Sequence, residues 1–293
     1  MIRKHLSLLF LHWHHVTLIF RNYRRLPDRL AVLSTYARIN LRYVVQVRIL
    51  KRHLEHEKFL GFDVTLADYL SFRDLFDELF VMREYDVMDE PEPHIIDCGS
   101  NIGMSVLFFK RMFPLCSVLC FEPNPAVFRC LEQNVANNRL DRVELIEAAV
   151  ALDVGSATLY SADSIEGGDL EVSLVSTMQR AVPLTESAVR CVRLSDHIDR
   201  PVHLLKLDIQ GAEGEVVEEL ASSGKLGLVQ RIIIEYHDDQ ITESNRLGRL
   251  LKRLEDAGFR FVIHSVQPPP YARYAGKPAL LQIYSYRSAA RSI

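Results

Sequence analysis

The chain has no run of about twenty apolar residues, the length that a membrane-spanning helix needs. Residues 6–20 come nearest, and His12, His14 and His15 interrupt them. No small-residue cleavage site follows that stretch, which argues against a secretory leader. Cysteine is sparse: five residues, at 98, 116, 120, 130 and 191, without the spacing of a metal site. They read as reduced core thiols, and the expected compartment is the cytoplasm. No internal repeat or low-complexity segment is visible. Basic residues do not interleave with aromatics along a groove motif, and no Asn-Pro-Pro-Tyr-like base pocket occurs. Nucleic acid is therefore not the expected partner.

What is present is an ordinary globular composition with an uneven charge distribution. Hydrophobic residues make up 48% and charged residues 25% of 293 positions. The net charge is −3, yet residues 1–55 hold eleven Lys/Arg against two acids, Asp28 and Glu55. The rest of the chain is therefore acidic. Such a split predicts a basic N-terminal arm with an affinity for anionic surfaces. Arg3, Lys4, Arg21, Arg24 and Arg25 flank the apolar stretch as they would on a helix lying at a membrane surface. The alternative is a helix packed on the catalytic domain or on a second subunit. The three histidines read as a polar strip.

Residues 26–55 and 66–82 show helical spacing of apolar side chains. Pro91-Glu92-Pro93 then ends the helical extension, placing a domain boundary at residues 90/91. From there strands and helices alternate. Strands are expected at 94–98, 117–121, 143–150, 202–207 and 231–235, and helices at 103–112, 125–138, 213–223 and 242–257. Shorter strands are expected at 156–160 and 188–194, around a polar loop at 167–177. Residues 259–266 and 279–286 lack an intervening helix. They are expected to form an antiparallel hairpin, because a parallel crossover needs a helix-length connection. The near-continuous apolar strands imply an α/β doubly wound sheet covered on both faces. Five or so parallel strands closed by an antiparallel hairpin is the layout of a class I methyltransferase, here with an N-terminal helical extension.

The chemistry begins in Asp97-Cys98-Gly99-Ser100-Asn101-Ile102-Gly103. A strand, a glycine turn and a helix N-terminus make a nucleotide-type cradle. A dinucleotide site would need a third glycine in register, and an acid at the strand end would repel its pyrophosphate. Asp97 suits the amino group of a methionine moiety instead, so S-adenosyl-L-methionine is favoured over NAD. Glu122 ends the second strand, nineteen residues after Gly103, where a carboxylate can hold two ribose hydroxyls. Asn124 is placed to cap the next helix. Glu147 and Ala148 close the third strand, where small residues would let an adenine lie flat.

Two more clusters fall at strand ends. Lys206, Asp208, Gly211 and Glu213 bring charge to a central strand, which is costly unless the charges pair. Glu235, His237, Asp238 and Asp239 follow the fifth strand. Asp208 and His237 are the candidate catalytic groups, either as proton acceptor for a hydroxyl. Asp208, Glu235 and Asp238 or Asp239 would alternatively suit a divalent cation. No metal is assigned.

Taken together, Ile95 to Gly103, Cys120 to Pro125, Leu204 to Val216 and Ile232 to His237 resemble the FkbM-type methyltransferase family, as does Met82-Arg83-Glu84-Tyr85. The resemblance spans roughly residues 60–265. It implies S-adenosylmethionine-dependent O-methylation of a sugar, glycan or other small natural product. It would place Asp97, Gly99, Asn101, Gly103 and Glu122 at the cofactor and Asp208 near the transferred methyl. Gln210 departs from the Glu found there in many relatives. The basic arm lies outside the resemblance. Two other readings compete with it: an NAD-dependent oxidoreductase and a non-catalytic cofactor-binding scaffold.

Overall fold

The computed structural model describes residues 2–162, 172–173, 184–237, 245–265 and 280–287. Among these, a seven-stranded sheet forms the centre. Its parallel part contains β3 (His94–Cys98), β4 (Ser117–Phe121), β5 (Val143–Ile146), β10 (Val202–Leu207) and β11 (Val229–His237). The hairpin strands β12 (Phe259–Ser265) and β13 (Leu280–Arg287) complete the order β12-β13-β11-β10-β3-β4-β5. β13 runs antiparallel to both its neighbours, as expected from the missing crossover helix. The strand order reverses beside β3, and ligands bind outside the carboxyl ends of strands at such a point.

Helices cover both faces. α4 (Met104–Met112) and α5 (Pro125–Asn137) follow the first two core strands. α4 lies in the same apolar core as Phe72, Phe76 and Phe80. The other face is sealed by α6 (Glu213–Ser222) and α7 (Leu247–Asp256), which bury Val216, Leu220, Leu250 and Leu254 against Ile232 and Ile234. Residues 242–244, expected to open α7, lie outside the described residues.

The α-helices of the N-terminal extension are α1 (Ile2–Asn22), α2 (Leu26–Arg42) and α3 (Tyr69–Phe76). It shares one hydrophobic core with the sheet: Ile19, Val32, Ile39 and Phe80 belong to the same buried cluster as Phe108 and Ile233. Polar contacts tie it down as well. The Tyr23 hydroxyl donates to the Phe80 carbonyl at 2.6 Å, and the Asn22 amide to the Val81 carbonyl at 2.9 Å. Residue 90 thus marks where strand–helix alternation starts, while the packing runs across it.

Four features depart from the sequence reading. The helix expected over 26–55 ends at Arg42 and passes into a π-helical segment, Tyr43–Ile49. A hairpin follows, β1 (His56–Phe59) and β2 (Phe62–Thr65). Leu60 and Gly61 turn it with φ of 48° and 94°, the two positive angles of a type I′ turn. The amides of Asn134 on α5 and of Asn138, its C-cap, bind the hairpin backbone: Asn134 Oδ1 accepts the Thr65 N–H at 2.6 Å, and Asn138 Oδ1 the Asp63 N–H at 2.8 Å. The second amphipathic helix, expected over 66–82, starts at Tyr69 behind the Asp68 cap and widens into a π-helix from Asp77 to Met82. Finally, the strand expected over 143–150 is broken at Glu147. β5 stays in the main sheet, while β6 (Ala149–Val150) enters a second sheet with β7 (Gly155–Ala162), β8 (Val172–Ser173) and β9 (Leu184–Val192). The polar loop expected at 167–177 lies mostly outside the described residues; its positions 172–173 form β8.

Candidate functional site

The carboxyl ends of β3, β4, β10 and β11 meet at one rim. After Cys98 the chain turns through Gly99 (φ 83°), Asn101 (φ 50°) and Gly103 (φ 88°) before entering α4. The N–H groups of Gly99 and Ser100 both donate to the Phe121 carbonyl, at 2.9 and 3.0 Å. The glycines are required by neighbouring chain segments. A Cβ on Gly99 would stand 1.9 Å from the Asp208 carbonyl oxygen, and one on Gly103 would stand 2.7 Å from Leu131. The turn therefore lies flush against the end of β10, and the close approach is chain to chain.

Beneath this turn is a buried charged knot. Lys206 is 3% exposed and Asp97 is 0% exposed. The Lys206 ammonium reaches Asp97 Oδ1 at 3.1 Å, Asp208 Oδ2 at 3.5 Å and the Gly99 carbonyl at 2.6 Å. Its three donors have three acceptors, the condition under which a buried charge is tolerated. Burial favours the neutral amine, but the charges of Asp97 and Asp208 outweigh it and raise the Lys206 pKa. Asp97, expected to meet a ligand amine, turns instead to this lysine and to the Ser105 hydroxyl. Ser100 is buried and donates to the Asp97 carbonyl at 2.9 Å.

Above the knot opens a cleft of about 690 Å³, counted with its mouth. Gly99, Asn101, Glu122, Ala148, Asp208 and Gln210 line it. Glu122 accepts the N–H of Asn101 at 2.9 Å and that of Asn124 at 2.8 Å. Burial lifts its pKa to about 7 against the pull of those two donors. Asn124 caps α5 by accepting the N–H groups of Ala126 and Val127. Phe121, Val127, Val150 and Leu159 add apolar walls. Leu159 comes from the second sheet, and its contribution was not readable without that sheet. Glu147 is exposed and does not line the cleft.

At the cleft's other end Asp208, Glu235 and His237 bring one ligand atom each within 4.8 Å of one another. Gln210, held at φ 54°, joins them: its amide nitrogen lies 3.3 Å from Asp208 Oδ1 and 3.0 Å from His237 Nε2. Glu213 is fully buried and accepts the N–H groups of Ile209 and Gly211 at 3.2 and 3.1 Å. It stands 3.6 Å from His237 Nδ1, an ion-pair distance. Burial works against a charged imidazole here. Glu213, Asp208 and Glu235 outweigh it and raise the His237 pKa to about 9. Glu235 is raised too, by burial and by the charge of Asp208. Lys206 and a protonated His237 thus stand among four acids, the buried Asp97 and Glu213 and, in the cluster at the rim, Asp208 and Glu235. Asp208 and Glu235 are also oxygen donors of the kind that bind divalent cations. Asp238 and Asp239 lie outside the described residues.

The groups that line this cleft suit S-adenosylmethionine. The cleft offers a carboxylate at the end of β4, small and apolar walls beyond β5, and acid and backbone groups at the ends of β3 and β10. The family comparison agrees. Residues 97–261, more than half of the chain, match the methyltransferase FkbM domain. "Methyltransferase 1" of Beauveria bassiana is 30% identical over 184 residues, covering 56% of this chain and 72% of that protein. "2-O-methyltransferase NoeI" of Sinorhizobium fredii is 28% identical over 174 residues, 54% of this chain and 68% of its own length. "31-O-demethyl-FK506 methyltransferase FkbM" of Streptomyces tacrolimicus is 28% identical over 229 residues, 69% of this chain and 84% of its own. The chain belongs to the FkbM family of methyltransferases, with S-adenosylmethionine as its methyl donor.

Proposed function

We propose that the protein transfers a methyl group to a hydroxyl oxygen of a sugar, a glycan or another small natural product. The observation that carries this reading is the position of Asp208, which lines the donor cleft and stands in the Glu235–His237 cluster at its open end. Two relatives whose names specify an O-methyl position support it.

S-adenosylmethionine supplies an electrophilic methyl on a sulfonium. The chain's own task is then alignment, which can lower a barrier by about 7–11 kcal/mol when reacting atoms are well oriented. Glu122 would accept the ribose hydroxyls, Ala148 and Phe121 would flank the base, and the Gly99–Asn101 turn would hold the polar end. Asn124 positions Glu122 through its backbone N–H. Asp208 accepts the hydroxyl proton. Lys206 and the Gln210 amide keep its two oxygens pointed at the rim. His237 orients the acids around it and, as a cation at neutral pH, is not the proton acceptor. Incubating the protein with isotope-labelled donor and hydroxylated acceptors tests this. Asp208→Asn should lower kcat by about 10²-fold or more, the usual scale for losing a general base. Full turnover in that variant would remove Asp208 from the reaction.

A second proposal concerns the arm. Trp13, Phe20, Leu41 and Ile49 are 69%, 46%, 64% and 67% exposed on a strongly basic segment. No helix among the described residues is long and apolar enough to cross a membrane. We propose that the face of α1 that carries Trp13 and Phe20, seven residues apart, rests on anionic lipid.

A further inference from the structure

A larger groove lies beside the catalytic rim, on the sheet face shared with the N-terminal helices. It encloses about 1,760 Å³ with its mouth, against 690 Å³ for the donor cleft. β11 and β13 form its floor. Their register places Glu235 opposite Gln282, Ile233 opposite Tyr284 and Arg231 opposite Tyr286. Side chains alternate along a strand, so these six share one face. β12 adds Val262 opposite Tyr284 and His264 opposite Gln282. Met82, Glu84 and Val87 form the wall.

The groove has a direction. β13 begins at the catalytic rim, so Gln282 is the inner end, and Tyr286 stands four residues away, about 14 Å at ~3.4 Å per residue. The inner end is polar. Gln282 is 2% exposed, and neither its amide nitrogen nor its amide oxygen has a hydrogen-bond partner. A buried unpaired amide is costly, and a ligand with hydroxyls would relieve that cost. Across the strand pair stands Glu235, a member of the Asp208–His237 cluster. Glu84 adds a carboxyl whose pKa burial lifts to about 7, so it can donate as well as accept. Tyr284, held edge-on against His264 at 5.7 Å, offers a fixed aromatic face. Beyond Gln282 the groove opens onto exposed apolar surface, with Val262 47% and Tyr286 39% exposed, and Arg287 at its far end is spent on the carbonyls of Leu226, Val229 and Ala257. Arg231 does not offer a free cation there, because Glu90 and Asp89 pair with it at 2.7 and 3.3 Å.

We propose that this groove is the acceptor site, and that it takes an amphipathic acceptor. Its hydroxyl-bearing ring meets Gln282 and Glu235 at the rim, and its hydrocarbon part lies along Val262 and Tyr286. The inference rests on the O-methyltransferase reading for the identity of the reacting group, but not for the groove itself.

Octyl β-D-glucopyranoside, below its micelle-forming concentration, and methyl β-D-glucopyranoside serve as probes in calorimetry on the full chain saturated with S-adenosylhomocysteine. The octyl glycoside should bind about tenfold or more tightly than the methyl glycoside. Gln282→Leu should weaken it by about tenfold, the loss expected for one or two hydrogen bonds. The same change should leave S-adenosylhomocysteine affinity unaltered and not lower Tm, since it removes an unpaired buried amide. Val262→Glu, at an exposed position, should weaken the octyl but not the methyl glycoside. No binding of either probe, equal binding of both, or binding untouched by both variants would overturn the proposal. Transfer of labelled methyl separates this from the parent reading. Expected binding with no O-methyl product from any hydroxylated acceptor defeats O-methylation and leaves the groove. O-methyl products formed with unchanged KM by Gln282→Leu defeat the groove alone.

Discussion

At the residue scale, Lys206 and His237 carry the charge balance of the site. Lys206→Met would leave Asp97 buried without its counter-charge, and removing one partner of a buried pair costs about 3–5 kcal/mol. Urea unfolding should show a loss of that size, with a smaller loss when Asp97→Asn is added. His237 is expected to reveal itself by pH. Its folded pKa lies above the unfolded value of 6.5, at about 9. The stabilisation it provides is therefore complete below pH 6.5 and disappears as pH rises through 9. The stability deficit of His237→Gln relative to the parent should shrink over that window. A constant deficit from pH 6 to pH 9.5 would show that the ring is not a cation in the folded state. The same raised pKa means that turnover should show no inflection near 6.5 belonging to an imidazole base.

At the scale of elements, the glycine turn is the least tolerant segment. Gly99→Ala combines a positive φ with a Cβ 1.9 Å from the Asp208 carbonyl, a backbone atom that cannot step aside. The variant should lose more than about 4 kcal/mol, the range reserved for such clashes, or fail to accumulate in soluble form. Wild-type thermal stability in that variant would contradict the packing of the turn against β10. This turn was legible as a strand–turn–helix because its residues follow a strong local rule, but what the glycines approach was not. The alternation from 94 onward, and the closing hairpin, were legible for the same reason: buried strands are continuous apolar runs and the last pair lacks a crossover helix. The β1–β2 hairpin was hidden because Leu60-Gly61 lacks the Asn-Gly or Asp-Gly signal, and its partners, Asn134 and Asn138, lie some 70 residues away. The switch of sheets at Glu147 was hidden because Ala149 and Val150 are apolar in either sheet. Asp97 was placed correctly at a strand end, yet its partner Lys206 is on another strand. Only the parallel register that sets Lys206 beside Asp97 decides which way the carboxylate turns.

For the whole molecule, the N-terminal extension ties the catalytic sheet to a basic, partly apolar surface. Ile19 and Tyr23 are buried in the common core while Trp13 and Phe20 face outward. Flotation with vesicles rich in anionic lipid should therefore recover the full chain at low salt and progressively less as salt rises, because the Debye length falls to about 10 Å at 0.1 M. Trp13→Glu combined with Phe20→Glu should abolish flotation without unfolding the protein. Unchanged flotation would assign contact to another surface. The same architecture gives the two cavities distinct roles: the donor cleft lies over the ends of β3, β4 and β10, and the larger groove runs along β11 and β13, with Glu235 at their junction. The central claim is that a methyl group crosses this junction to oxygen. The most direct measurement is mass spectrometry of hydroxylated acceptors from cell extract after incubation with S-adenosylmethionine labelled in its methyl group, using the parent protein and Asp208→Asn. The account predicts labelled O-methyl ethers from the parent and their near absence from the variant. Label found on nitrogen or carbon alone, or equal O-methylation by both proteins, would contradict it.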